Sequence, residues 1–174
     1  LPRGLSMVAP SSALYSAAGR LRTLKTKLVT TGPLFAGACT KSLESTTKRV
    51  VLCSGKVYYD LLEDQQKRGK TDVALVRVEQ LYPFPRTRLA AELAKYSKAS
   101  EVVWCQEEPQ NQGAWYQIQH HLRACLQAKQ TLGYAGRPRS PSPAVGHMAD
   151  HLRELQQLLD DAFTNPVAGD TAAD

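Results

Sequence analysis

Three short, unbroken apolar runs constrain this chain most: Val50-Val51-Leu52-Cys53, Val73-Ala74-Leu75-Val76 and Val102-Val103-Trp104-Cys105. A strand with one wet face alternates apolar and polar residues, whereas a strand covered on both faces reads as a continuous apolar run. Each run is followed by residues at helical spacing. After the first come Val57, Tyr58, Leu61, Leu62 and Gln65, closed by Lys67-Arg68-Gly69-Lys70, where basic groups suit a helix C-terminus and Gly69 can stop it. Asp72 to Val78 forms the second strand, stopped by Pro83 and Pro85, and residues 86–96 form a helix burying Leu89, Leu93 and Tyr96. Glu101 to Cys105 is the third strand. The loop Gln106 to Gly113 follows, then a helix with Trp115, Ile118, Leu122 and Cys125 on one face. Thr131 to Ala135 reads as a fourth strand and Gly136 to Pro143 as a proline-stiffened loop. A last helix covers residues 144–163 with Leu152, Leu155, Leu158, Leu159 and Phe163 inward. This alternation predicts an α/β three-layer sandwich, with a mostly parallel sheet and helices on both faces. In such sheets the loops beyond the carboxyl ends of the strands carry the ligand or partner site.

The chain divides into residues 1–47, 48–163 and 164–174. Residues 1–47 hold six basic groups and one acid, Glu44, and show no sustained period. That composition is shared by mitochondrial transit peptides; an out-of-frame start, a fusion or a diverged linker are the other readings. The Ala/Asp/Gly tail after Phe163 is expected to be disordered. The formal net charge of +6 suggests an anionic partner, but residues 48–163 balance 16 basic groups against 13 acidic ones. A mixed-charge surface is therefore expected, with no nucleic-acid stripe. No run approaches the roughly 20 apolar residues of a membrane-spanning helix. Cys39, Cys53, Cys105 and Cys125 contain no Cys-x-x-Cys pair. A reducing compartment follows, with no zinc site and no disulfide framework.

Several groups could carry chemistry, each with a plainer alternative. Ser54-Gly55-Lys56 sits between a strand and a helix, where an anion could bind, or where a tight turn simply carries a solvated lysine. Glu79, Glu107 and Glu108 lie on the same edge as a conceivable acid/base set, or as helix caps and contacts for a partner's basic groups. His147 and His151 stand four apart and could share a metal ion, or be an exposed pair. His120 and His121 are adjacent, so they are expected on different helix faces. Arg137, Arg139 and Ser140 could hold a phosphate or carboxylate, or pack against another domain. Trp104, Trp115 and Tyr116 read as core or interface anchors. No complete active site emerges, and no catalytic or metal-ligating residue is assigned.

The segments Lys48 to Leu62, Val76-Arg77-Val78-Glu79-Gln80-Leu81-Tyr82-Pro83-Phe84-Pro85, and Trp104-Cys105-Gln106-Glu107-Glu108-Pro109-Gln110-Asn111-Gln112-Gly113-Ala114-Trp115 go further. With Tyr134 to Pro138 and Ser142 to Gly146, they closely resemble the C-terminal domain of the thiamine-diphosphate-dependent first component of the 2-oxoglutarate dehydrogenase complex, in its bacterial wording. The resemblance runs in order from Lys48 to Phe163, and residues 1–47 do not align with it. It implies the transketolase C-terminal fold. It also implies a parent enzyme that decarboxylates 2-oxoglutarate on thiamine diphosphate with magnesium, and passes succinyl to the lipoyl-bearing second component. In the family the catalytic histidines and cofactor ligands lie in upstream domains, so this chain alone is expected to be inactive. The partners implied are those upstream domains and a homodimer partner. Lys56, Arg77, Arg137 and Arg139 are the basic groups available to an acetyl-CoA or AMP effector. Glu79, Gln80, Glu107, Glu108, Asn111, Gln112 and Trp115 are assigned to the interdomain interface. A bacterial cytoplasm is expected ahead of a mitochondrial matrix. Two readings stand: an enzyme's structural and regulatory domain, or a free-standing effector-binding module.

Overall fold

Successive side chains of a strand point to opposite faces, and the apolar runs use both. Val50, Leu52, Val76, Val102 and Trp104 enter one core, while Val51, Cys53, Leu75, Val103 and Cys105 enter a second on the other side of the sheet. The computed structural model describes residues 46–164 and the backbone of two flanking strands, 26–29 and 167–168. In chain order the elements are β1 (Thr26–Val29), β2 (Arg49–Cys53), α1 (Val57–Arg68), β3 (Val73–Val78), α2 (Arg86–Leu93), β4 (Glu101–Pro109), α3 (Trp115–Cys125), β5 (Thr131–Arg137), α4 (Met148–Phe163) and β6 (Val167–Ala168). The sheet order is β1-β3-β2-β4-β5-β6. Pairing is parallel from β1 to β5, and β6 runs antiparallel to β5. Val51 stands beside Leu75 on one side and Val103 on the other.

α1 and α4 cover one face through Val57, Tyr58, Leu61, Leu158, Leu159, Ala162 and Phe163. α2 and α3 cover the other through Leu89, Leu93, Trp115, Ile118, Leu122 and Cys125. This is the expected three-layer α/β sandwich. Each fully buried leucine, such as Leu61 or Leu75, contributes about 1.5–3 kcal/mol over its exposed state. Gly69, at φ 61°, closes α1 in the left-handed conformation, its N–H directed at the Gln65 and Gln66 carbonyls.

Boundaries differ from the expectation in four places. β4 does not stop at Cys105 but runs to Pro109, and β5 runs to Arg137, because the two strands pair again at Pro109 and Arg137 beyond a bulge. α2 ends at Leu93, yet turn hydrogen bonds carry the chain on and keep Tyr96 buried. α4 begins at Met148, since His147 is extended at its N-cap. Leu152 is mostly exposed there instead of inward, and Leu155 is only partly buried. β1 comes from the segment read as irregular. The other residues of 1–45, Cys39 among them, and the rest of the tail lie outside the described residues.

β2 passes through α1 to β3 on one side, whereas β4 passes through α3 to β5 on the other. The carboxyl ends of β2 and β4 therefore flank the point where neighbouring connections diverge, which is where open α/β sheets present a site.

Candidate functional site

Gln106 organises the carboxyl edge. It continues the parity of Val102 and Trp104 toward the α2/α3 face and is buried. Its Oε1 accepts hydrogen bonds from Trp104 Nε1 and the Trp115 N–H, both at 3.0 Å. Its Nε2 donates to the carbonyls of Glu108 (3.2 Å) and Pro109 (3.1 Å). One amide thus ties strand, loop and the first residue of α3, satisfying polar groups that would be costly to bury unpaired. Gly113 makes this possible, because a Cβ there would collide with the Gln106 side chain. Sequence reasoning passed over Gln106. The available signal was one polar residue continuing an apolar parity, seven positions ahead of a glycine. Trp115 is corrected by the same geometry: it is 1% exposed and packs on Tyr134 within the α2/α3 core, so it has no surface to offer another domain.

At the ends of β2 and β3 the suspected anion seat is filled by this chain's own carboxylates. Gly55, at φ 73°, directs its N–H to Glu79 Oε1 at 3.1 Å. Arg77 holds the same oxygen, at 2.9 Å from Nε, and lies 4.8 Å over the Tyr58 ring and 5.5 Å from that of Tyr59. Lys56 bridges Asp60 at 3.1 Å and Glu107 at 3.6 Å. The Asp60 hydrogen bond, followed by the Glu107 charge, holds its ammonium above the ordinary lysine value. The Gln80 amide closes the next loop on the Pro83 carbonyl, at 2.8 Å.

Beyond β5 the basic groups are engaged as well. Arg137 is 7% exposed, and its Nη2 donates to His151 Nδ1 at 2.7 Å while Nε lies 3.4 Å from Glu154. Arg139 donates to the Tyr116 hydroxyl (2.8 Å) and to Gln110 Oε1 (3.3 Å). Asn111 and Gln112 both donate to the Ser140 carbonyl, at 3.0 and 2.7 Å, and the Ser140 N–H returns a bond to Asn111 Oδ1. These two amides hold the proline loop down. Lys56 and Arg77 therefore sit on the β2/β3 side and Arg137 and Arg139 on the β5 side, with β4 between. The cavity beside Arg137 measures about 30 Å³, room for about one water molecule and not for a nucleotide.

The histidines are not arranged as expected. The rings of His120 and His121 lie in contact, centroids 3.8 Å apart and planes tilted at 49°, so adjacency in sequence did not separate them. His147 caps α4 while His151 turns onto Arg137, so the two do not form a metal pair. Among the described residues no three His, Cys, Asp or Glu side chains converge as cation ligands. No described helix is long and apolar enough to cross a membrane. Among the described residues the large apolar side chains left exposed are Tyr59, Tyr82, Tyr116, Met148 and Leu152. All stand in the loops or first helical turns that rise from the carboxyl edge.

The family model for the 2-oxoglutarate dehydrogenase C-terminal domain matches residues 36–163, beginning ahead of the Lys48 boundary. The chain belongs to the 2-oxoglutarate dehydrogenase C-terminal family. It is 56% identical over 119 residues to the 2-oxoglutarate dehydrogenase E1 component of Cupriavidus necator, covering 68% of this chain and 12% of that protein. The corresponding component of Azotobacter vinelandii is 53% identical over 120 residues, covering 67% of this chain and 13% of the relative. That of Haemophilus influenzae is 51% identical over 117 residues, covering 67% and 12%. The chain thus spans about an eighth of the length of these relatives. Among the described residues the donor set does not fit magnesium, and no glycine-rich cradle for a diphosphate is formed.

Proposed function

We propose that this domain is the non-catalytic C-terminal part of a 2-oxoglutarate dehydrogenase E1 component, and that its carboxyl edge docks on the rest of that chain and on the homodimer partner. The observation that carries this reading is that, among the described residues, the large exposed apolar side chains, three of them tyrosines, stand at one edge. Aromatic residues are enriched where one protein surface covers another. Glu79, Gln80, Glu107 and Glu108 would supply the polar rim of that contact, and Asn111 and Gln112 would support it by holding the proline loop. Decarboxylation of 2-oxoglutarate on thiamine diphosphate and magnesium, and succinyl transfer to the lipoyl-bearing second component, belong on this reading to other domains of the parent. A bacterial cytoplasm as the location of such a parent is part of this reading, supported by the bacterial origin of the relatives. An acetyl-CoA or AMP effector is the weaker reading. Lys56 and Arg77 would have to exchange Asp60, Glu107 and Glu79 for it, and Arg137 is turned onto α4.

The test is a chimera in which residues 46–164 replace the matching segment of the Cupriavidus necator E1 component. The chimera is expected to dimerise and decarboxylate 2-oxoglutarate, and the isolated chain to do neither. A folded but monomeric or inactive chimera, or turnover by the isolated chain, would overturn the reading.

A further inference from the structure

An arginine guanidinium only donates hydrogen bonds. Arg86, the first residue of α2, directs both Nε (3.0 Å) and Nη2 (2.5 Å) at the single atom Nδ1 of His121 on α3. That nitrogen must therefore present its lone pair, which makes the imidazole neutral with its proton on Nε2. The same ring stacks on Phe84, centroids 5.0 Å apart and planes at 27°. Arg86 is fixed again through its carbonyl, which accepts from Cys125 Sγ at 3.5 Å, and its N–H donates to the Phe84 carbonyl at 2.9 Å. The segment Leu81-Tyr82-Pro83-Phe84-Pro85, which packs Leu81 and Phe84 against the α2/α3 core, thus has its polar tie to α3 at its C-terminal end through this imidazole. Tyr82, the most exposed of the large apolar side chains at 93%, rides on that segment.

We infer that neutral His121 is a latch for the β3–α2 loop, and that protonating it releases the loop and the tyrosine it presents. Protonation removes the only acceptor position that Arg86 uses on the ring, and it sets a second cation against the guanidinium. The charged or titratable groups acting on His121 are His120 on its own helix and Arg86 from α2, and the loop side presents only the Phe84 ring. No carboxylate of the described residues acts on the ring to stabilise its charged form. Partial burial first, then His120 and Arg86, lower the His121 pKa from its ordinary value. The folded value thus lies below the unfolded one of about 6.5. The latch's contribution is complete above about pH 6.5 and is lost as pH falls through the lower folded value. That the loop then loses its grip on the parent chain rests on the docking reading above.

Hydrogen-exchange protection of the Arg86 and Leu89 amides, which donate to the Phe84 and Pro85 carbonyls of the segment, measured at about pH 7.5 and about pH 5.5 around the ordinary histidine value, tests the latch. The wild-type chain is expected to lose protection several-fold at the lower pH. His121→Gln, which keeps a neutral acceptor, is expected to hold it constant, and His120→Gln to follow the wild type. Equal wild-type protection at both values, or the same loss in His121→Gln, would overturn the inference. So would a ¹⁵N spectrum at the higher pH showing the His121 proton on Nδ1. Dimerisation of the chimera at the two pH values is read separately: a released loop with an intact dimer would remove the docking consequence and leave the latch standing.

Discussion

At the amino end of the sheet the starts of β3, β2, β4 and β5 are stitched by a series of backbone hydrogen bonds. Lys48 N–H donates to Asp72 O (2.8 Å), Ser100 N–H to Lys48 O (3.1 Å) and Thr131 N–H to Ser100 O (2.9 Å). Arg49 adds an ion pair to Glu101 and reaches across to the Ala162 and Thr164 carbonyls at the end of α4. At the carboxyl end a single such bond, from the Gln110 N–H to the Arg137 carbonyl at 3.1 Å, joins β4 to β5. There the loops are held by side chains, namely Gln106, Glu79, Asn111 and Gln112, and the exposed tyrosines stand among them. The amino end joins its strands through backbone and opens a polar cavity of about 240 Å³ lined by Lys48, Arg49, Lys70, Asp72 and Glu101. The carboxyl end holds its loops at individual points and presents apolar surface, a surface built to be covered.

The largest break in this contrast is expected from Gln106→Leu. It leaves the Trp104 and Trp115 donors and two loop carbonyls without their partner in a buried site, at about 1–3 kcal/mol for each unsatisfied group. A loss of several kcal/mol in urea unfolding is expected, with exchange of the 106–115 amides accelerated. A loss under about 1 kcal/mol would show that the loop does not depend on this amide. Arg49→Ala should cost less, about 1–2 kcal/mol, because the backbone stitches of the amino end remain in place. Equal costs for the two substitutions would erase the distinction between the ends. The smallest effect on folding belongs to Tyr82→Ser, whose side chain is almost fully exposed. Stability should stay within about 0.5 kcal/mol, while dimerisation of the chimera weakens. An unchanged dimer would take Tyr82 out of the docking surface.

How far the sequence reached can be seen element by element. The unbroken runs at Val50, Val73 and Val102 predicted buried parallel strands, and Gly69 predicted where α1 stops. Both follow from local constraints, the parity of a strand and the left-handed turn a glycine accepts. α4 shows the limit. Its apolar period was legible, yet Leu152 faces outward, because the helix begins later than its composition suggests and its first turns project beyond the sheet. The resemblance motif around Gln106 was legible as a pattern, but the pattern did not reveal that one of its residues holds the others.

The sequence by itself determined the layers, the order of strand and helix, the family and the edge on which the informative loops fall, since these rest on periodicity and on residues close together in the chain. Only the tertiary structure decided which charges are free. Lys56 meets Glu107 across 51 positions and Arg86 meets His121 across 35, and no spacing rule connects residues so far apart. Arg137 lies on the strand continuation past the β4–β5 bulge, and its burial depends on α4 folding back over it. The charge and reach of a side chain are local properties. Whether that charge is neutralised depends on what the crossovers of a parallel sheet bring alongside it.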